Sequence, residues 1–219
     1  MSGPDPSIAD LSAMRLPLER YLRGLWNAQA PLIPIEVSEG VGNAMLARPY
    51  LSNLGVHLPR VTAAVDDRQA RALYFASAAH VGAHLAYSHH RFPRGGLRPV
   101  QVAIAGLLED ARVEWLAMAG LPGLRASWLP FHDAAPEHGG EVRILLRRLA
   151  RALIDPGYHD PHPWVAKGLA FFQDREDGQP PFHDPARLRE AASRLGNDIG
   201  QMRLQFNAKT YLVEPAYRD

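Results

Sequence analysis

The sequence predicts an all-α protein, a single irregular domain of several helices organised around a central pair of polar helices. Two observations support this prediction. Apolar residues recur at three- and four-residue steps in most segments, and prolines and glycines gather between those segments. In addition, the segments near 67–90 and 99–119 carry histidines and carboxylates among apolar residues. We therefore expect at least five helices, no substantial sheet, and these two segments packed against each other.

The composition is that of a globular protein, and it excludes several kinds of site. The chain has 219 residues, of which 47% are hydrophobic and 21% charged. Its net charge of +1 offers no long-range field that would attract nucleic acid. No apolar run reaches the roughly 18 residues of a membrane span. The absence of cysteine excludes disulfides, thiolate zinc sites and cysteine nucleophiles. The N-terminus lacks signal-peptide features, so we expect a cytoplasmic protein.

The N-terminal region, residues 1–65, is expected to pack as a helix and loops on a helical core of residues 66–219. Its helix lies in "SIADLSAMRLPLERYLRGLWN", where Pro17 predicts a break or a kink. The segment "IPIEV" is compatible with a short extended piece, and "YLSNLGVHLP" is typical of a loop.

The core region contains the remaining predicted helices. Asp66 or Asp67 is placed to cap the first polar helix. Pro99 suits the first turn of the second polar helix, and Gly120 suits its end. Further helices are predicted in "EVRILLRRLARALID", where the arginines form a solvated basic face, in "HPWVAKGLAFFQDRED" and in "ARLREAASRLGNDIGQMRLQF".

Two pairs of polar residues on the central helices have the spacing of metal ligands. His80 and His84 lie four residues apart on the first helix, and Asp110 and Glu114 lie four apart on the second. Carboxylates in an apolar helix are costly unless they are paired or bound to a cation. Facing each other, the four side chains would suit a zinc, iron or manganese ion, with Glu109 as a substitute ligand.

A buried hydrogen-bonded network explains the same residues without a metal. Glu109 and Arg112 lie three residues apart and predict an ion pair on one helix, while a histidine can satisfy Asp110 or Glu114. The spacing leaves both interpretations open. The sequence "HVGAH" has Val81 where zinc proteases of the H-E-x-x-H type carry their glutamate, so that class is not expected.

Histidines and arginines outside the central helices have simpler interpretations. The stretch "SHHRFPRGG" gathers His89, His90, Arg91 and Arg94 beside a glycine turn, where they either hold an anion or form a solvated loop. "GYHDPHPW" places two more histidines among turn residues.

The segment "RFPRGGLRPVQVAIAGLLEDARVEWLAMAGLPGLRASWLPFH" resembles the N-terminal helical region of the NorD/CbbO family. These are nitric-oxide reductase activation proteins and their Rubisco-activating relatives. "ALIDPGYHDPHPWVAKG" and "MRLQFNAKTYLVEPAYRD" are similar to later parts of that region, so the resemblance covers most of residues 70–219. It implies an accessory, adaptor-like protein that acts with a MoxR-type AAA+ ATPase on a client metalloenzyme.

The sequence departs from that family in one respect. It has no D-x-S-x-S motif of the von Willebrand factor A domain that follows this region in the family. We therefore expect either an excised domain or a short stand-alone relative. Two functions remain open: an activation adaptor, or a stand-alone helical metalloprotein or metalloenzyme with a two-histidine and carboxylate site.

Overall fold

The computed structural model describes residues 10–35, 47–60, 66–89, 94–176 and 178–219. Within these ranges the protein is mainly helical, as predicted, but it also has a small sheet, so the strict all-α class is wrong. The chain divides into two compact units. The first comprises Met1–Tyr87 and Ala216–Asp219, and the second comprises Ser88–Pro215.

The described elements include seven α-helices and three β-strands. In the first unit they are α1 (Leu11–Trp26), β1 (Leu32–Ile35), β2 (Tyr50–Ser52), β3 (Gly55–Pro59) and α2 (Asp67–Tyr87). In the second unit they are α3 (Pro99–Gly120), α4 (Leu124–Trp128), α5 (Val142–Ile154), α6 (Pro163–Gln173) and α7 (Pro185–Gln201).

Helix α1 begins at a side-chain cap and buries one apolar stripe. The Asp10 carboxylate accepts a hydrogen bond from the Ser12 amide, 2.7 Å away, which satisfies one of the amides left open at a helix start. The helix continues through Pro17, where the sequence predicted a break or a kink. Its buried stripe packs against α2 and consists of Leu11, Met14, Leu18 and Leu22.

The three strands form a mixed sheet that corrects the prediction of a loop in "YLSNLGVHLP". Strand β3 lies in the centre, parallel to β1 and antiparallel to β2. All five residues of β3 are buried, so its backbone groups need partners, and the two flanking strands supply them. Gly55 has a φ of +148°, and a Cβ there would lie 2.3 Å from the Pro31 carbonyl oxygen. Glycine therefore permits this close approach at the start of β3.

Helix α2 is capped by Asp66, whose carboxylate accepts a hydrogen bond from the Gln69 amide. Nearly all of its residues from Leu73 to His84 are buried, and most are small. At Gly82 the two helices of the first unit come close together. A Cβ on Gly82 would lie 2.2 Å from Cδ1 of Trp26 and 3.1 Å from Cδ2 of Leu22. The packing of α1 on α2 therefore depends on the missing side chain at Gly82.

Helix α3 is the centre of the second unit, where it contacts α4, α5 and α7. Helix α6 packs between α5 and α7 and completes the apolar core. The bounds predicted for α3 from Pro99 and Gly120 agree with the structure. Although α3 is apolar, it carries buried Glu109, Asp110 and Glu114. In the part of the chain that the structure describes, no helix is both long and apolar enough to cross a membrane.

The expected packing of the two polar helices concerns α2 and α3, which belong to different units. It stays a prediction, as does the single domain of residues 1–219. The first unit combines the predicted N-terminal region, residues 1–65, with α2.

The close contact at Gly82 predicts opposite effects for two glycine-to-alanine changes in the first unit. Gly82→Ala should lower the free energy of unfolding by about 1–3 kcal/mol, because the new methyl group overlaps the Trp26 indole. Gly24→Ala in α1 should raise it by up to about 1 kcal/mol, because a Cβ there meets nothing within 4 Å and alanine favours the helix. Urea unfolding of both variants measures the difference. Equal stability of the two variants would contradict the described packing of α1 on α2.

Candidate metal centre

The two histidines of α2 form a buried pair. His80 and His84 are four residues apart, so their side chains lie on the same face of the helix. Their rings stand edge to face with centroids 4.8 Å apart. His80 is 0% exposed and His84 is 8% exposed. The local helix therefore delivers two imidazoles to one enclosed position, as their spacing predicted.

Asp219 brings a carboxylate to the same position. Its Oδ1 lies 3.1 Å from Nε2 of His80 and 3.2 Å from Nε2 of His84. Asp219 belongs to the segment Ala216–Asp219, which is part of the first unit. In this segment Tyr217 is fully buried and its ring stands against the His80 ring, 5.5 Å between centroids. Arg218 is also fully buried, so two consecutive residues of this segment are packed inside the protein.

The electrostatics of the pair keep Asp219 ionised. Burial raises the pKa of the Asp219 carboxyl, but the hydrogen bond with His80 and the favourable electrostatic interactions with the His84 and His80 side chains outweigh burial. The resulting pKa of Asp219 is about 2, well below its ordinary value. The carboxylate is therefore in the form that binds a cation at neutral pH.

The spacing of these atoms fits the ligand shell of a transition metal. With ligand bonds of about 2.1 Å, two ligands lie about 3.0 Å apart at a right angle and about 3.4 Å apart at a tetrahedral angle. The two distances from Asp219 Oδ1, 3.1 and 3.2 Å, fall within that range. The 3.1 Å distance from His80 also fits a hydrogen bond between its Nε2 and the carboxylate, with a proton in place of the metal ion.

The acids predicted as ligands lie on α3 of the second unit. Three acids, Asp110, Glu114 and Glu109, are buried there. The two histidines, His80 and His84, belong to the first unit. Whether Asp110 or Glu114 joins the histidines around one ion stays a prediction. Asp219 is a candidate ligand that the sequence analysis missed. It lies 139 residues from His80, and no spacing rule connects positions so far apart.

Glu109 takes part in an ion pair instead. Arg112 donates from Nε to Oε2 at 2.7 Å and from Nη2 to Oε1 at 2.6 Å, and the Ser88 hydroxyl donates to Oε1 at 2.6 Å. Both carboxylate oxygens therefore accept hydrogen bonds within the second unit. This geometry is the bidentate pair that the spacing on the helix predicted, and it favours a structural role for Glu109 over its predicted role as a substitute ligand.

A second buried ion pair corrects the prediction that the arginines of α5 form a solvated face. Arg148 is 3% exposed, and it donates from Nε and Nη2 to the two oxygens of Asp160 at 2.8 and 2.6 Å. Its Nη1 donates to the Gly139 carbonyl oxygen. Asp160 also accepts from the Tyr158 hydroxyl and the His162 amide. All of these groups are satisfied, which makes the burial of the charges tolerable.

The same network shifts the pKa values of its acids. Burial raises the pKa of Asp160, but the hydrogen bonds from Arg148 and Tyr158 outweigh it and lower the pKa below its ordinary value. Burial and the Asp160 carboxylate raise the pKa of Tyr158 to about 12. The network therefore favours an ionised Asp160 and a neutral Tyr158.

The remaining predicted histidines and arginines have local roles or lie outside the described residues. His162 caps α6 by accepting from the Trp164 amide, and His159 lies in the preceding turn with its Nδ1 3.2 Å from the Gly157 carbonyl oxygen. Both agree with their interpretation as turn residues. His90 and Arg91 fall outside the described residues, whereas His89 and Arg94 are exposed.

The pair on α3 predicts a large cost for losing its arginine. Arg112→Ala should lower the free energy of unfolding by about 3 kcal/mol, because it removes the positive charge that compensates the buried Glu109 carboxylate. Arg112→Lys should also destabilise the protein, since an ammonium cannot reproduce the two-bond fork. Arg194→Ala is the control, because its pair with Glu190 is exposed and should change stability by less than about 1 kcal/mol. Similar small losses in all three variants would show that the Glu109 pair is not buried.

The lowered pKa of Asp160 predicts how acid affects stability. A group whose pKa falls on folding stabilises the native state above its ordinary pKa, and this contribution disappears as the pH falls through the folded value. Asp160→Asn should therefore destabilise the protein at pH 7, and the difference from wild type should shrink below about pH 4. Urea unfolding at several pH values measures this. A difference that stays constant down to about pH 2.5 would contradict an ionised, paired Asp160.

Comparison with protein-family models, curated proteins and solved structures finds no match for this chain. The resemblance to the NorD/CbbO family, and the ATPase and client that it implies, stay predictions.

Proposed function

We propose that this chain is a metal-binding protein that holds one divalent transition-metal ion with His80, His84 and Asp219. One observation carries this proposal: two buried imidazole nitrogens converge on a single carboxylate oxygen, at 3.1 and 3.2 Å. The ligand atoms of the three side chains all lie within 4.8 Å of one another. An ion placed among them would need only small shifts of side chains that the helix and the packed segment already orient.

The donor set narrows the choice of metal. Two imidazoles and one carboxylate, without a thiolate, suit zinc, iron(II) or manganese(II). The set contains two neutral nitrogen ligands and one anionic oxygen, so a divalent ion keeps a net positive charge. Three protein ligands leave room in the coordination shell for water or a further ligand. When bound, such an ion supplies Lewis-acid chemistry at its open positions.

A bound ion would also have a structural role. His80 and His84 lie on α2, and Asp219 lies on the segment Ala216–Asp219, so an ion would join two separate stretches of the first unit. Both Tyr217 and Arg218 of this segment are fully buried. Metal binding to the folded state alone stabilises it by mass action. The metal should therefore raise the thermal stability of the first unit.

The metal proposal predicts stoichiometric binding that depends on these three side chains. Tag-free protein should bind about one equivalent of Zn²⁺ or Mn²⁺ in calorimetric titration, and a chelator should lower the melting temperature of the loaded protein. His84→Ala and Asp219→Asn should each weaken binding at least about tenfold, because the first removes a nitrogen ligand and the second removes the negative charge of the oxygen ligand. Affinity should fall as the pH drops through the histidine range, since protons compete for the imidazoles.

His57→Ala is the matched control for this experiment. His57 is also a buried histidine of the first unit, but its Nε2 lies 2.8 Å from the Ser52 hydroxyl and its ring stacks on Tyr50. This variant should keep full metal binding. Circular dichroism of each variant checks that it is folded, and Asp219→Asn preserves side-chain size. Binding well below one equivalent by the wild type, or equal loss in His57→Ala, would refute the proposed site.

A further inference from the structure

A polar groove lies in the second unit between the start of α3, with the residues just before it, and α7. Its volume is about 680 Å³. The side chains that give it chemical character come from both walls: Arg98 and Gln101 on one side, and Arg189, Glu190, Ser193 and Asn197 on the other. None of these residues takes part in the proposed metal site, so the groove needs a separate explanation.

The floor of the groove is held in place by the buried Gln101 side chain. Its Oε1 accepts from the Arg98 amide at 2.7 Å, and its Nε2 donates to the Ser193 carbonyl oxygen at 3.1 Å. The Nε2 also lies 3.3 Å from Oδ1 of Asn197. At Gly196 a Cβ would lie 2.4 Å from Cγ of Gln101, so α3 and α7 meet here closely. The Gln101 side chain therefore links the start of α3 to α7 and fixes the distance between the two walls of the groove.

Positive charge enters the groove from both walls. Arg98 precedes α3 and donates from Nη2 to Oδ1 of Asn197 across the groove. Arg189 projects from α7, and its Nη2 lies 3.4 Å from the Arg94 carbonyl oxygen. The acid at the rim, Glu190, pairs with Arg194 at 2.5 Å, which offsets its negative charge. The described lining therefore combines two guanidinium groups with hydroxyl and amide groups.

We infer that this groove binds the phosphate group of a small phosphorylated ligand. Guanidinium groups bind phosphate through paired, charge-assisted hydrogen bonds, and the Ser193 hydroxyl and Asn197 amide add neutral donors. Two guanidiniums match a dianion better than a monoanionic carboxylate. The volume greatly exceeds that of one phosphate and lies in the usual range of small-ligand sites, roughly 300–1,000 Å³. The rest of the ligand would occupy the open part of the groove.

Titration of the full chain with three probes at constant ionic strength tests this inference. Amide chemical shifts are followed as inorganic phosphate, phenyl phosphate or benzoate is added. Phenyl phosphate should saturate a site at the groove residues and bind at least about tenfold more tightly than benzoate, since the monoester carries the second negative charge. Binding of phenyl phosphate more tightly than inorganic phosphate supports a phosphorylated organic ligand. Equal binding of these two phosphates would overturn the inferred organic part.

Variants separate this site from general attraction to arginines. Arg98→Gln and Arg189→Gln should each weaken phenyl phosphate binding at least about tenfold. The melting temperature of Arg189→Gln should stay that of the wild type. Arg187→Gln is the matched control, because Arg187 is also on α7 but pairs with Asp174 outside the groove. It should leave binding unchanged. No saturable binding, benzoate equal to phenyl phosphate, or equal loss in Arg187→Gln would overturn the inference.

Discussion

Two imidazole nitrogens on neighbouring turns of α2, from His80 and His84, contact one oxygen of the Asp219 carboxylate. The folded first unit holds these three groups together. A buried carboxylate or a buried imidazole is costly in an apolar setting unless it has a partner. Here each group compensates the others, and the lowered pKa of Asp219 reflects that compensation. The small residues of α2 matter because they let α1 approach closely at Gly82. The apolar stripe of α1 packs with Tyr74, Ala78 and Val81 of α2 in one apolar core.

In the second unit, arginine side chains compensate the buried carboxylates. Arg148 and Asp160 join α5 to the turn before α6, and every polar atom named in that network has a partner. Arg112 and Glu109 form the second buried pair, within α3. Such pairs contribute little net stability compared with apolar residues, but loss of one partner is expensive. They therefore fix local geometry more than they strengthen the fold. Histidines paired with a carboxylate differ from arginines in one way that matters for function: imidazole can release its proton and bind a metal ion.

The helices were predictable because their signals are local. Asp66 supplied the cap of α2, and Pro99 marked the start of α3. The sheet was not predictable in the same way, since β1, β2 and β3 have only three to five residues each and β3 is buried at every position. Strands this short do not show the alternation of apolar and polar residues that identifies longer ones.

The candidate site was likewise predictable only where its residues are close in sequence. His80 and His84 were predictable because four-residue spacing on a helix places side chains together. Asp219 was not, because its contact depends on how the segment Ala216–Asp219 folds back onto the first unit. Arg148 was missed for a related reason: it follows Arg147 directly, and the sequence alone does not distinguish the buried arginine from the half-buried one. Local patterns identify the donor types, whereas tertiary contacts decide which donors meet.

X-ray absorption spectroscopy of the zinc-loaded, tag-free protein identifies the side chains that bind the ion. If His80, His84 and Asp219 hold the ion, the first shell should contain nitrogen and oxygen at about 2.0–2.2 Å, and the outer shells should show scattering from two imidazole rings. The His84→Ala protein should show at most one ring. A wild-type spectrum without imidazole scattering would contradict the account, because it would place the metal away from the paired histidines.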